Sequence, residues 1–125
     1  MCIQEWIEKT AYVPVQKDSE DIADICLIEV GGTIGDLEGG AYYEALRQFI
    51  LKIGRENTCI FFVSYIPVLA GGEQKTKPTQ HGCKELRVTG LAPDFIVCRC
   101  SDPISPETRN KVALFTNVQP EKVQY

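Results

Sequence analysis

The chain has 125 residues, enough for one domain with a core of its own. Hydrophobic residues make up 44% and charged residues 24%, an ordinary globular balance, and the net charge of −4 argues against nucleic acid as a general partner, although a local basic patch can still hold an anion. No apolar run approaches the roughly 20 residues of a membrane span, so no membrane partner is expected. The opening MCIQEWIEK lacks the basic, apolar, small-residue order of a signal peptide. With six cysteines but a single histidine, a Cys/His metal site is not expected. Cys98 and Cys100 form C-x-C, which is neither the redox nor the zinc-knuckle spacing. The reading is reduced, buried thiols in a cytoplasmic protein.

In chain order, the first element is an amphipathic helix with Ile3, Trp6 and Ile7 on one face. DICLIEV (Asp24–Val30) is apolar enough for a strand buried on both faces. From Tyr42, apolar residues recur with helical spacing at Ala45, Leu46, Phe49, Ile50 and Ile53, and Gly54 is a fitting stop; Tyr42 reads as core. TCIFFVSYIP (Thr58–Pro67) is rich in β-branched and aromatic residues and predicts a strand. A polar loop, Ala70 to Thr79, leads to a short helix in QHGCKELRVTG. DFIVCRC (Asp94–Cys100) predicts another strand. Ser105 as N-cap and Pro106 at the first helical position predict a helix to about Phe115. Pro120 and Glu121 suit the first turn of one more helix. Neither end reads as a natural terminus, so the chain is expected to be a piece of something longer. Strict alternation of helix and strand predicts an α/β fold: a parallel sheet with helices on both faces.

In open parallel sheets, ligands sit beyond the carboxyl ends of the strands. Three stretches then draw attention. In IEVGGTIGD, Glu29 stands at a strand tip before Gly31, Gly32 and Gly35. A carboxylate there can hold Mg2+ together with nucleotide phosphates, and the glycines let backbone N–H groups approach a ligand. A tight turn with an exposed acid is the plainer reading. In GEQKTKPTQ, Lys75 and Lys77 flank Thr76, with Pro78, Thr79 and Gln80 at a helix start. Two ammoniums plus helix N–H groups make a triphosphate cradle, and a solvated loop is the alternative. No GxxxxGK[ST] loop occurs. Arg109 and Lys111 share a helix and read first as a solvated basic face. Glu44 and Arg47 read as a surface pair. His81 has no orienting partner, so no catalytic residue is assigned.

IEVGGTIGDLE, EALRQF, GEQKTKPTQ followed by KELR, DFIVCRC and KVALF stand here in one order. That series resembles the cytidine triphosphate synthase family across Asp24 to Val123, and MCIQEWIE resembles the helix before that region. The resemblance implies a Rossmann-like, P-loop-type fold, here as a partial domain spanning residues 1–125. It implies an activity that aminates UTP to CTP with ATP, Mg2+ and ammonia from a glutaminase domain of the same parent chain, in a homotetramer. By motif, Glu29 matches the Mg2+ ligand. Asp36, Leu37 and Glu38 match the segment contacting the inhibitor CTP. Lys75, Thr76, Lys77, Pro78, Thr79 and Gln80 match the loop binding the UTP or CTP triphosphate, and Lys111 a further nucleotide lysine. Glu44 and Arg47 match a helix lining that region.

The sequence departs from the family at Gly39-Gly40-Ala41, where a Ser-hydrophobic-Pro step is usual. It also lacks the family's P-loop lysine, its second Mg2+ aspartate, its adenine-holding segment and its glutaminase triad. The expectation is a synthetase-domain segment inactive alone. The alternative is a non-catalytic nucleotide-triphosphate-binding module.

Overall fold

The computed structural model describes residues 2–125. Helix α1 (Ile3–Ala11) starts where the Glu5 carboxylate accepts the Cys2 N–H at 3.1 Å. An extended stretch follows, then a 3-10 turn at Leu37–Gly39 that runs into α2 (Gly40–Ile53). Two contacts tie α1 to α2: Lys52 Nζ to Glu8 at 2.5 Å, and Gln4 Nε2 donating to the Ala45 carbonyl at 3.2 Å. Beyond a short turn come β1 (Phe61–Tyr65), α3 (Lys77–Val88), β2 (Phe95–Arg99), α4 (Pro106–Thr116) and β3 (Val123–Gln124).

The three strands form one parallel sheet in the order β1-β2-β3. Phe61 pairs with Phe95 and Tyr65 with Arg99, while Ile96 pairs with Val123. Period-2 alternation then sorts the side chains. Phe62, Ile96, Cys98 and Val123 lie in the core with Cys83 and Leu86 of α3, Val112 and Ala113 of α4 and Tyr43 of α2. Gly82 makes this packing possible. A Cβ there would come within 2.7 Å of the Phe62 ring, so only glycine lets α3 lie this close to β1.

The fold is α/β with a parallel sheet, a partial Rossmann-like domain, and the alternation of elements is borne out from α2 onward. Several boundaries differ. Asp24–Val30, expected as a buried strand, is unpaired and exposed up to Glu29, with Leu27 91% accessible; only Val30 is half-buried against the core. A strand exists only through a ladder, and among the described residues the one partner of β1 is β2. The expected cover on both faces is found on one. Phe61, Val63 and Tyr65, on the face away from α3, stay exposed, with Phe61 stacked on Phe95 at 5.1 Å.

At the carboxyl end, the expected helix is a 3-10 turn, Pro120–Lys122, followed by β3. Burying Val123 beside Ile96 and gaining ladder bonds outweighs the helix-starting character of Pro120 and Glu121. In α2 the core tyrosine is Tyr43, and Tyr42 is exposed. The thiols also divide. Cys83 and Cys98 are buried, and burial pushes both up, Cys98 to about 11. Cys2, Cys26 and Cys59 are exposed. All six are free.

Candidate functional site

The loop between β1 and α3 leaves the carboxyl end of its strand and folds back on itself. Leu69 donates its N–H to the Glu73 carbonyl at 2.9 Å, and Lys75 donates its N–H to the Pro67 carbonyl at 2.8 Å. The Cα of Lys75 is thereby pinned at the rim of the sheet. Its ammonium rests on Glu73 at 2.5 Å, an exposed pair that an anion could displace. Helix α3 starts earlier than the spacing predicted, at Lys77, so Lys77, Pro78 and Thr79 belong to its first turn and not to a loop. Pro78 explains this, since its fixed φ suits the first helical positions and its missing N–H would be unpaired there anyway.

The two threonines of the motif face inward. Thr79 is fully buried and its hydroxyl lies 2.9 Å from that of Ser64 on β1. Thr76, also buried, accepts a hydrogen bond from the Gln80 amide at 2.9 Å. Thr76 and Thr79 therefore anchor the turn, while Lys77 is exposed and Lys75 and Gln80 are half-buried. Ser64 was not singled out from the sequence. Its signal was a lone hydroxyl inside the apolar run FFVSYI.

The loop after β2 comes to the same rim. Gln74 joins the two loops: its amide N–H donates to the Pro103 carbonyl at 3.0 Å, and its Oε1 accepts the Ser105 N–H at 3.0 Å. Ser105 caps α4 by accepting the Thr108 N–H at 3.1 Å. Lys111 stands exposed on that helix and forms no ion pair among the described residues. Arg109 of the same helix lies over the Tyr125 ring at 5.6 Å.

The acidic residues gather elsewhere. Glu29, Asp36 and Glu38 line a cavity of about 530 Å3, floored by Trp6, Ile7 and Leu46. Gly32 and Gly35 adopt positive φ of 91° and 101°, which answers why glycine follows the Glu29 tip. Leu37 is fully exposed. A Cβ on Gly35 would sit 3.9 Å from the Glu85 carboxylate, so this segment runs beside α3. Lys77, Gln80, His81, Lys84 and Arg87 line a second hollow of about 460 Å3 beside Phe115. Of these, Arg87 already donates to the Thr116 carbonyl. The structure places Lys75 at the end of the β1 loop and Lys77 and Gln80 at the start of α3, with Gln74 linking that loop to the helix of Lys111. It leaves Glu29, Asp36 and Glu38 around a separate cavity.

The CTP synthase N-terminus family model matches residues 2–125. The chain belongs to this family. A CTP synthase of Dictyostelium discoideum is 50% identical over 122 residues, covering 97% of the chain and 21% of the relative. CTP synthase 1 of Saccharomyces cerevisiae is 51% identical over 121 residues, and CTP synthase 1 of Homo sapiens 48% over 122, again covering 97% of the chain. The chain spans about a fifth of the length of these curated relatives.

Glu44 and Arg47, on α2 of this family domain, form the surface pair that their spacing predicts. Arg47 donates to Glu44 at 2.9 and 2.7 Å, and Gln48 adds a bond at 2.7 Å. The Arg47 hydrogen bond, then that of Gln48, holds the Glu44 carboxyl down to about 2.

Among the described residues no group of three or more His, Cys, Asp or Glu side chains could hold a metal ion alone. Glu29 is exposed and offers a single carboxylate to the cavity it lines. Among the described residues no helix is long and apolar enough to cross a membrane.

Proposed function

We propose that residues 1–125 form part of the synthetase domain of a CTP synthase and supply the cradle for the triphosphate of UTP or CTP. One observation supports the reading: the loop that follows β1 carries Lys75 and runs straight into the start of α3 with Lys77 and Gln80, in a chain that matches the family from residue 2 to 125. A triphosphate carries about four negative charges, and ammoniums at a partly desolvated rim stabilise it by charge-assisted contacts. Lys75 and Lys77 meet the phosphates, the free N–H groups at the start of α3 add their partial positive charge, and Gln80 is oriented by its bond to Thr76. Lys111 reaches the same anion from α4. Glu29 is the carboxylate that would share Mg2+ with the phosphates, and Mg2+ there would neutralise their charge. Asp36, Leu37 and Glu38 contact the base end of CTP, where substrate and inhibitor diverge.

The parent enzyme in this reading uses ATP and UTP, receives ammonia from a glutaminase domain of the same parent chain, assembles as a homotetramer and works in the cytoplasm. The 125-residue segment is inactive alone and holds no catalytic residue. A second reading, a nucleotide-triphosphate-binding module without turnover, is favoured by one fact: the acids and the lysines line separate hollows in this chain.

The test is Lys75→Ala in the full-length protein. UTP saturation is expected to shift strongly, because a lost charge-assisted phosphate contact costs about 1.5–3 kcal/mol. Unchanged saturation removes the cradle assignment. Glu38→Ala is expected to weaken CTP inhibition more than UTP turnover. Equal losses remove the assignment of Asp36–Glu38 to the inhibitor.

A further inference from the structure

The two loops at the sheet rim have no helix or strand in common; the first carries Lys75, and the second leads into α4, which carries Lys111. The loop after β1 closes on itself through an antiparallel bridge between Val68 and Gln74 and through the Lys75 N–H to the Pro67 carbonyl. That fixes Lys75 but says nothing of α4. The loop after β2 is anchored by buried Ile104 and ends at the Ser105 cap. Gln74 is the side chain that connects them, and it uses both halves of its amide. Its Nε2 donates to the Pro103 carbonyl and its Oε1 accepts the Ser105 N–H, each at 3.0 Å. The group it accepts from is the backbone of the residue that caps α4, so the clamp acts on the origin of the helix itself. Lys111 lies six residues along that helix, about 9 Å of rise.

We infer that Gln74 is a positioning residue that locks the start of α4 to the Lys75 loop, so that Lys75 and Lys111 meet one polyphosphate as a preset pair. The inference rests on the phosphate-cradle reading above. Its physical basis is preorganisation: a cation on a loop and one on a helix that move independently must be ordered when the anion binds, whereas clamped ones are ordered beforehand. Gln74 suits the task because a neutral amide offers a donor and an acceptor together. A lysine or glutamate in its place would provide one or the other and would change the charge felt by the anion.

The experiment compares Gln74→Met, which keeps length but loses both bonds, with Gln74→Glu, which keeps the acceptor for Ser105. Both are made in the full chain, with Mg·UTP and inorganic tripolyphosphate as probes in titration calorimetry. Gln74→Met is expected to weaken both probes about tenfold, the factor that corresponds to losing about one charge-free hydrogen-bond pair. Melting should hardly move, because Ile104 and Ile66 still anchor the loops. Gln74→Glu is expected to lie between Gln74→Met and the native chain. Two readouts separate positioning from a merely structural role. The Ser105 amide should exchange faster in Gln74→Met and stay protected in Gln74→Glu. Lys75→Ala and Lys111→Ala should be non-additive in the native chain and additive on the Gln74→Met background.

Native-like affinity in Gln74→Met overturns the inference, and so does a loss of affinity that merely follows a fall in melting temperature. If Lys75→Ala weakens tripolyphosphate while Gln74→Met does not, the Gln74 inference falls and the cradle stands. If neither matters, both fall.

Discussion

The lysine-bearing turn and the acid-bearing segment are packed differently in this molecule. At Lys75–Gln80 the polar motif is threaded through the core: Thr76 and Thr79 are buried and hydrogen-bonded, and the backbone is tied to Pro67. At Glu29–Glu38 the candidate residues rest on a chain with no strand partner among the described residues: Val30 and Ile34 pack partly against the core, but Leu37, and Leu27 just before the segment, lie in solvent. The difference teaches that motif chemistry becomes a site only where its non-functional residues find partners. Thr79 has Ser64; Ile25 and Leu27 have no strand beside them.

Substitutions can break that contrast, in order of expected effect. Ile96→Ala removes a fully buried side chain from the middle of the sheet and is expected to cost about 2–5 kcal/mol in denaturant unfolding. Gly82→Val is expected to cost about 1–3 kcal/mol, because its Cβ would collide with the Phe62 ring and push α3 off β1.

Asp94 ties the starts of β1 and β2. Burial raises its pKa, but the Arg55 fork at 2.6 Å and the Ile60 N–H at 2.7 Å outweigh this and hold it below the usual value of 3.8. A lowered folded pKa gives stability that is present above the unfolded value and lost as pH falls below it. Asp94→Asn should therefore flatten the acid limb of the stability curve and cost about 1 kcal/mol at neutral pH, a modest figure because Arg55 is half exposed. A curve that keeps its acid slope in Asp94→Asn would remove this role.

The smallest effect belongs to Leu27→Ala, within about 0.5 kcal/mol, since the side chain has almost no packing to lose. If instead it costs as much as Ile96→Ala, the segment is packed in solution and the contrast between the two regions disappears.

Much of this arrangement was legible in the residues themselves. Apolar spacing and Gly54 located α2, Ser105 and Pro106 located α4, and β-branched runs located β1 and β2, because these signals are local and act within one turn or one strand. The lysine turn was placed at the correct end of the sheet by the rule for parallel strands. Its internal wiring was not legible. That Thr76 and Thr79 turn inward, that Gln74 reaches the cap of α4 and that Gly82 admits Phe62 all depend on contacts far apart in the chain.

The residue types and their order determined an α/β parallel fold, the family, and a pattern of lysines beside a helix start. Tertiary structure alone decided which predicted strands are strands. Asp24–Val30 has the composition of a buried strand but no neighbour, whereas Val123–Gln124 is two residues long and pairs with β2. The reason lies in where the hydrogen bonds go: a helix satisfies its backbone within itself, so its sequence suffices to announce it, but a strand is satisfied only by another strand.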